Sequence, residues 1–103
     1  EILILDEPTN GLDFIAREKL LETIEKIAAA PNSPTLLYVT HHIEEILPIF
    51  GKSLLLKKGE VFASGKTVEM MSENILSEFF ELEVDVIWSN GRPLLAKRSR
   101  ILK

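Results

Sequence analysis

The run Ile2-Leu3-Ile4-Leu5-Asp6-Glu7-Pro8-Thr9-Asn10-Gly11-Leu12-Asp13 constrains the fold more than any other part of this sequence. Four consecutive aliphatic residues end in two adjacent carboxylates, and then in Pro, Asn and Gly, which interrupt regular structure. An apolar run this short, bounded by turn residues, reads as a strand buried on both faces of an α/β sheet. Acids at the carboxyl end of such a strand stand where open α/β sheets bind their ligands.

The following residues extend that strand into a βαβ unit. Asp13 is placed to cap a helix, its carboxylate accepting free amide hydrogens of the first turn. Leu20, Leu21, Ile24, Ile27 and Ala28 then recur at helical spacing, and Glu22 and Lys26 stand one turn apart as a favourable pair. Pro31-Asn32-Ser33-Pro34 breaks the chain before Thr35 to Val39 and Thr40, a second apolar strand. The two strands are expected to run parallel, joined by a right-handed crossover. A helix is expected from about His42, burying Ile43, Ile46, Leu47 and Phe50 and ended or kinked by Pro48 and Gly51.

Further on, Lys57-Lys58-Gly59-Glu60 predicts a hairpin turn between Ser53–Leu56 and Val61–Ala63. Residues 67–71 and 73–81 read as short helices. Asn90-Gly91 predicts a second hairpin with a two-residue loop, between the alternating residues 84–89 and Arg92–Ala96. Two domains are expected: residues 1–66, built from the βαβ unit, and residues 67–103, a helix and hairpin appendage. Tyr38 and Trp88, the only residues of their kinds, read as packing groups.

Composition narrows the function classes. At 46% hydrophobic and 27% charged residues, the chain is globular. Its net charge of −4 gives no general attraction to nucleic acid or anionic lipid, so no nucleic-acid partner is expected. Lys97, Arg98, Arg100 and Lys103 form a basic end that reads either as a phosphate contact or, by preference, as a solvated terminus. There is no cysteine, hence no disulfide framework and no thiolate metal site. No apolar run approaches the roughly 18 residues of a membrane span. The sequence does not start with Met, and the expectation is a piece of something longer.

Three residues carry the chemistry. Phosphoryl transfer needs a divalent cation on the phosphate oxygens and a group that orients the attacking water. Neighbouring strand residues point to opposite sides, so Asp6 and Glu7 divide the work: Asp6 toward the metal's hydration shell, Glu7 toward the water. The blander reading is two acids that end a strand and cap a turn. His41 follows the second strand on the same sheet edge and reads either as a phosphate ligand or as a capping, solvated histidine. His42, at a helix start, reads as structural or exposed.

Leu5-Asp6-Glu7-Pro8-Thr9 with Asn10-Gly11-Leu12-Asp13, then Val39-Thr40-His41, resemble the Walker B strand, D-loop and H-loop of ATP-binding cassette (ABC) ATPases. Lys57 to Val61 with Ser64-Gly65 resembles the hairpin after the H-loop in transporter cassettes. Thr40-His41-His42 departs from the commoner Thr-His-Asp and is similar to a subset of stand-alone bacterial cassettes, molybdate-type ones included. The resemblance covers residues 1 to about 66 with specific motifs. It implies part of a P-loop NTPase (RecA-like) three-layer core with parallel strands, plus C-terminal helices and a β-hairpin. It implies ATP and Mg²⁺ as cofactors. Asp6 would hold Mg²⁺ through water, Glu7 would polarise the attacking water, His41 would contact the γ-phosphate, and Asp13 would act across a nucleotide-sandwiched dimer.

The parent is then expected to hydrolyse ATP to drive transport, paired with a second ATPase subunit and membrane permease subunits. Its place would be the cytoplasm, at the inner face of the membrane. Within these 103 residues there is no Gly-rich loop with Lys-Ser or Lys-Thr and no Leu-Ser-Gly-Gly-Gln signature. The isolated chain is therefore expected to be inactive and, with its first strand uncovered, to self-associate. The alternatives are a non-enzymatic, oligomerising remnant and an ABC-type ATPase that is not a transporter motor.

Overall fold

A computed structural model describes residues 1–98; Arg100 and Lys103 of the basic end lie outside the described residues. The fold is α/β, with two compact units, Glu1–Ile49 and Phe50–Lys103. This division follows packing, whereas the one at 66/67 follows motifs; the hairpin between the two boundaries packs with the second unit.

In the first unit, β1 (Ile2–Asp6) leads through α1 (Phe14–Ala29) to β2 (Thr35–Val39). The strands pair in parallel, with Ile2 opposite Thr35 and Asp6 opposite Val39. Asp13 caps α1: its Oδ1 accepts from the Ala16 amide at 2.8 Å. Leu21 and Ile24 form the buried centre of the predicted stripe, with Ile27 at its 37% exposed margin. Glu22 and Lys26 meet at 3.9 Å.

β1 is covered on one face and open on the other, the uncovered first strand expected of the isolated chain. Leu3 and Leu5 are half-buried, whereas Ile2 and Ile4 are 67% and 62% exposed. Leu37 and Val39, their neighbours on β2, are exposed too. A two-stranded sheet has two faces to cover, and only one is covered among the described residues.

The helix expected from His42 is a single 3-10 turn, Ile43–Glu45. Ile46 is already extended, at ψ 102°. Pro48 disfavours helical backbone at the residue before it, so the apolar spacing of 43, 46, 47 and 50 does not become a helical face. Leu47 is buried, but its fully buried companion is Glu45, not Ile43, Ile46 or Phe50.

The second unit contains two hairpins and two short helices. β3 (Lys52–Lys57) and β4 (Glu60–Lys66) pair antiparallel, and a bulge at Leu55/Leu56 leaves Phe62 without an opposite residue. Then α2 (Thr67–Met70) and α3 (Glu73–Phe80) lead to β5 (Val84–Ser89) and β6 (Arg92–Lys97). Both hairpin loops are Xaa-Gly with two positive φ angles: 52° and 77° at Lys58-Gly59, 52° and 76° at Asn90-Gly91. That is the type I′ geometry that matches strand twist. Leu55, Met71, Leu76 and Val84 are its buried aliphatic and Met residues. Trp88 is 46% exposed and is not the packing group expected. Arg98 is no loose cation: it contacts Asp85 at 2.8 Å, Glu73 at 3.2 Å and Glu83 at 3.6 Å.

Candidate functional site

The carboxyl ends of β1 and β2 lie side by side because the strands are parallel and in register. Asp6 is the last residue of β1 and is exposed. Glu7 has left the strand: its φ is +47°, although its amide still donates to the Val39 carbonyl at 2.7 Å. A non-glycine residue held in the left-handed region is strained, and such residues cluster at functional sites. Alternation along a strand is thus not what separates Asp6 from Glu7, since the backbone turns between them. Beyond Glu7 the chain closes two tight turns, Asn10 amide to Glu7 carbonyl at 3.2 Å and Leu12 amide to Thr9 carbonyl at 3.0 Å. Gly11 takes the φ of +82° that the second requires.

The structure brings Glu7 and His41 together. His41 Nδ1 lies 2.5 Å from Glu7 Oε1, and both side chains retain access to solvent. Asp13 stands at the far end of the turn, exposed, with Oδ1 engaged in the helix cap. The His42 ring centroid is 4.0 Å from that of His41, and His42 Nδ1 is 3.7 Å from Glu44 Oε1.

A residue that the sequence reading missed is bonded to both segments that carry this pair. Glu45 is fully buried and accepts from three hydroxyls: Thr9 at 2.6 Å on Oε2, with Tyr38 at 2.9 Å and Thr40 at 2.8 Å on Oε1. Burial pushes its carboxyl up, but the hydroxyl bonds outweigh burial and hold it below the ordinary range. The Tyr38 hydroxyl is pushed up, by burial first and then by its bond to the Glu45 carboxylate. Thr40 Oγ1 also accepts from the His42 amide at 2.9 Å. Thr9 and Thr40, each close to an expected site residue and each a hydroxyl-bearing residue at a strand or turn end, were the available signal.

Among the described residues, no group of three or more His, Asp or Glu side chains could hold a metal ion. A lone exposed carboxylate such as Asp6 suits an ion that keeps its waters and takes its other oxygens from phosphate, as Mg²⁺ does. The chemistry of the donor set therefore fits Mg²⁺ bound with a nucleotide. No helix of the described residues is long and apolar enough to cross a membrane.

No family model matches the chain. Among curated proteins it is 59% identical over 101 residues to an uncharacterized ABC transporter ATP-binding protein, YlmA, of Bacillus subtilis (strain 168), covering 98% of this chain and 38% of that protein. It is 48% identical over 86 residues to YmeB of Lactococcus lactis, which carries the same description, covering 84% and 33%. With the molybdenum import ATP-binding protein ModC of Photorhabdus laumondii it shares 35% over 83 residues, 81% of this chain and 23% of that one. The chain thus spans well under half the length of the curated relatives it matches. Among solved structures it superposes, at a TM-score of 0.76 and 22% identity, on a metal-chelate type ABC transporter in an inward-facing conformation, covering 96% of this chain and 40% of that one. At that identity the likeness concerns the fold.

Proposed function

This chain belongs to the ABC transporter ATPase family, and on that premise we propose that it forms the hydrolytic end of an ATP site in a longer protein that couples ATP hydrolysis to transport. The observation that carries the proposal is the contact of Glu7 with His41 at the carboxyl ends of two adjacent parallel strands. In this reading β1 and β2 are part of a three-layer RecA-like core whose remaining strands come from the rest of the protein.

ATP would supply the scissile phosphate and Mg²⁺ the charge neutralisation, with Asp6 as the carboxylate that would hold the ion. Glu7 accepts a hydrogen bond from the attacking water and orients it, the positioning that phosphoryl transfer needs most. His41 meets Glu7 through Nδ1 and turns its other ring nitrogen to a phosphate oxygen. Asp13 keeps the helix cap and, with its second oxygen, faces a partner ATPase subunit. That dimer would work with membrane permease subunits at the cytoplasmic face of the membrane.

The test is steady-state hydrolysis by the full-length protein. Glu7→Gln keeps the shape of the side chain and loses the carboxylate, so turnover should fall on the order of 100-fold or more while ATP affinity changes little. His41→Ala should also lower turnover. Near-wild-type hydrolysis in Glu7→Gln would remove Glu7 from the mechanism and the proposal with it.

A further inference from the structure

Glu7 and His41 sit on different segments, one on the turn after β1 and one after β2. Their 2.5 Å contact therefore depends on whatever fixes those two segments against each other. The backbone supplies one tie, the Glu7 amide on the Val39 carbonyl. The other tie is the Glu45 carboxylate. Its Oε2 holds Thr9, two residues beyond Glu7, while its Oε1 holds Tyr38 and Thr40, the latter adjacent to His41. Thr40 is used at both ends: its hydroxyl donates to Glu45 and accepts from the His42 amide, so the backbone on each side of His41 is fixed. The 3-10 turn brings Glu45 into place, its amide donating to the His42 carbonyl at 3.0 Å.

We propose that Glu45 is a positioning residue for the Glu7–His41 pair, acting through Thr9 and Thr40. It touches neither group. A carboxylate suits this task because it has acceptor sites for several donors at once and nothing to donate. Three hydroxyls converging on two oxygens leave the two segments little freedom to slide. A glutamine has one good acceptor oxygen and an amide that demands acceptors in turn, so one side of the tie must reorganise. The inference rests on the hydrolytic reading above, and its test is built to fail separately from it.

In the full-length protein, Glu45→Gln should lower kcat by on the order of 10-fold to 100-fold, the usual cost of a small misplacement, with KM for ATP changed by less than about twofold. Thr40→Val should do the same, and Thr40→Ser, which restores the hydroxyl, should recover most of the loss. Thr9→Val provides an independent variant where Glu45→Gln does not fold. In the full-length protein without nucleotide, the ring ¹⁵N shifts of His41 should move in Glu45→Gln and Thr40→Val and stay put in Thr40→Ser. Unchanged kcat in Glu45→Gln beside a dead Glu7→Gln would overturn the positioning role and leave the hydrolytic reading standing. Active Glu7→Gln with His41 shifts that still move would do the reverse. Unmoved His41 shifts in folded Glu45→Gln and Thr40→Val would overturn the positioning role whatever the turnover.

Discussion

Glu45 is fully buried and accepts hydrogen bonds from the hydroxyls of Thr9, Tyr38 and Thr40. Each such bond contributes modestly to stability, but an abandoned buried donor costs about 1–3 kcal/mol, so the cluster is expensive to disturb. Its pH signature follows from the two shifts. Glu45, held below its ordinary value near 4.5, contributes stability above that value and loses it as the pH falls through the folded one. Tyr38, held above its ordinary value of 10.0, contributes below that value and loses it as the pH climbs. The gap in melting temperature between wild type and Glu45→Gln should accordingly be widest near neutral pH. It should narrow as the pH drops below about 4.5, where the unfolded chain takes up the Glu45 proton first, and go on narrowing until the pH has fallen through the lower folded value. Equal acid sensitivity of the two proteins would show that the carboxylate is not held as described. The placement of Glu7 and His41 at neighbouring strand ends was readable in the sequence because strand-end residues announce themselves by the apolar run before them. Glu45 was not, because an acid among Ile43, Ile46 and Leu47 looks like the wet side of a helix.

At the scale of elements, the hairpins were readable because two-residue Xaa-Gly loops leave few backbone choices, and the structure takes the expected one at both Lys58-Gly59 and Asn90-Gly91. The crossover helix was readable from its cap and its stripe. The segment after His42 was readable only in part: Pro48 was expected to end or kink a helix there, but the chain is already extended at Ile46 after a single 3-10 turn. The parallel pair β1–β2 is the element with the clearest physical consequence. Its Ile2, Ile4, Leu37 and Val39 face is exposed, and each strand has one edge unpaired in its sheet. Unpaired strand edges invite pairing with another chain, and exposed apolar area adds about 25 cal/mol for every Å² removed from water. The 103-residue chain should therefore run above 11.6 kDa when size exclusion is coupled to light scattering at high micromolar concentration, and Ile4→Lys should shift it toward the monomer. A persistent wild-type monomer with dispersed amide signals would show that this face is tolerated in water.

For the whole molecule, the proposed function divides labour between residues that orient a water and residues that hold a nucleotide. Backbone amides of a Gly-rich loop at a helix start supply most phosphate contacts in P-loop enzymes, and these 103 residues contain no such loop with Lys-Ser or Lys-Thr. The relatives that match the chain are more than twice its length, which leaves ample sequence to carry the cradle. On the proposed function, this chain holds the hydrolytic end of the site and the rest of the protein holds the binding end. Calorimetric titration of the isolated 103-residue chain with Mg-ATP, set beside the same titration of the full-length protein, tests it most directly. The full-length protein should bind with micromolar affinity and the chain alone should give no measurable heat; a micromolar dissociation constant for the isolated chain would contradict that division.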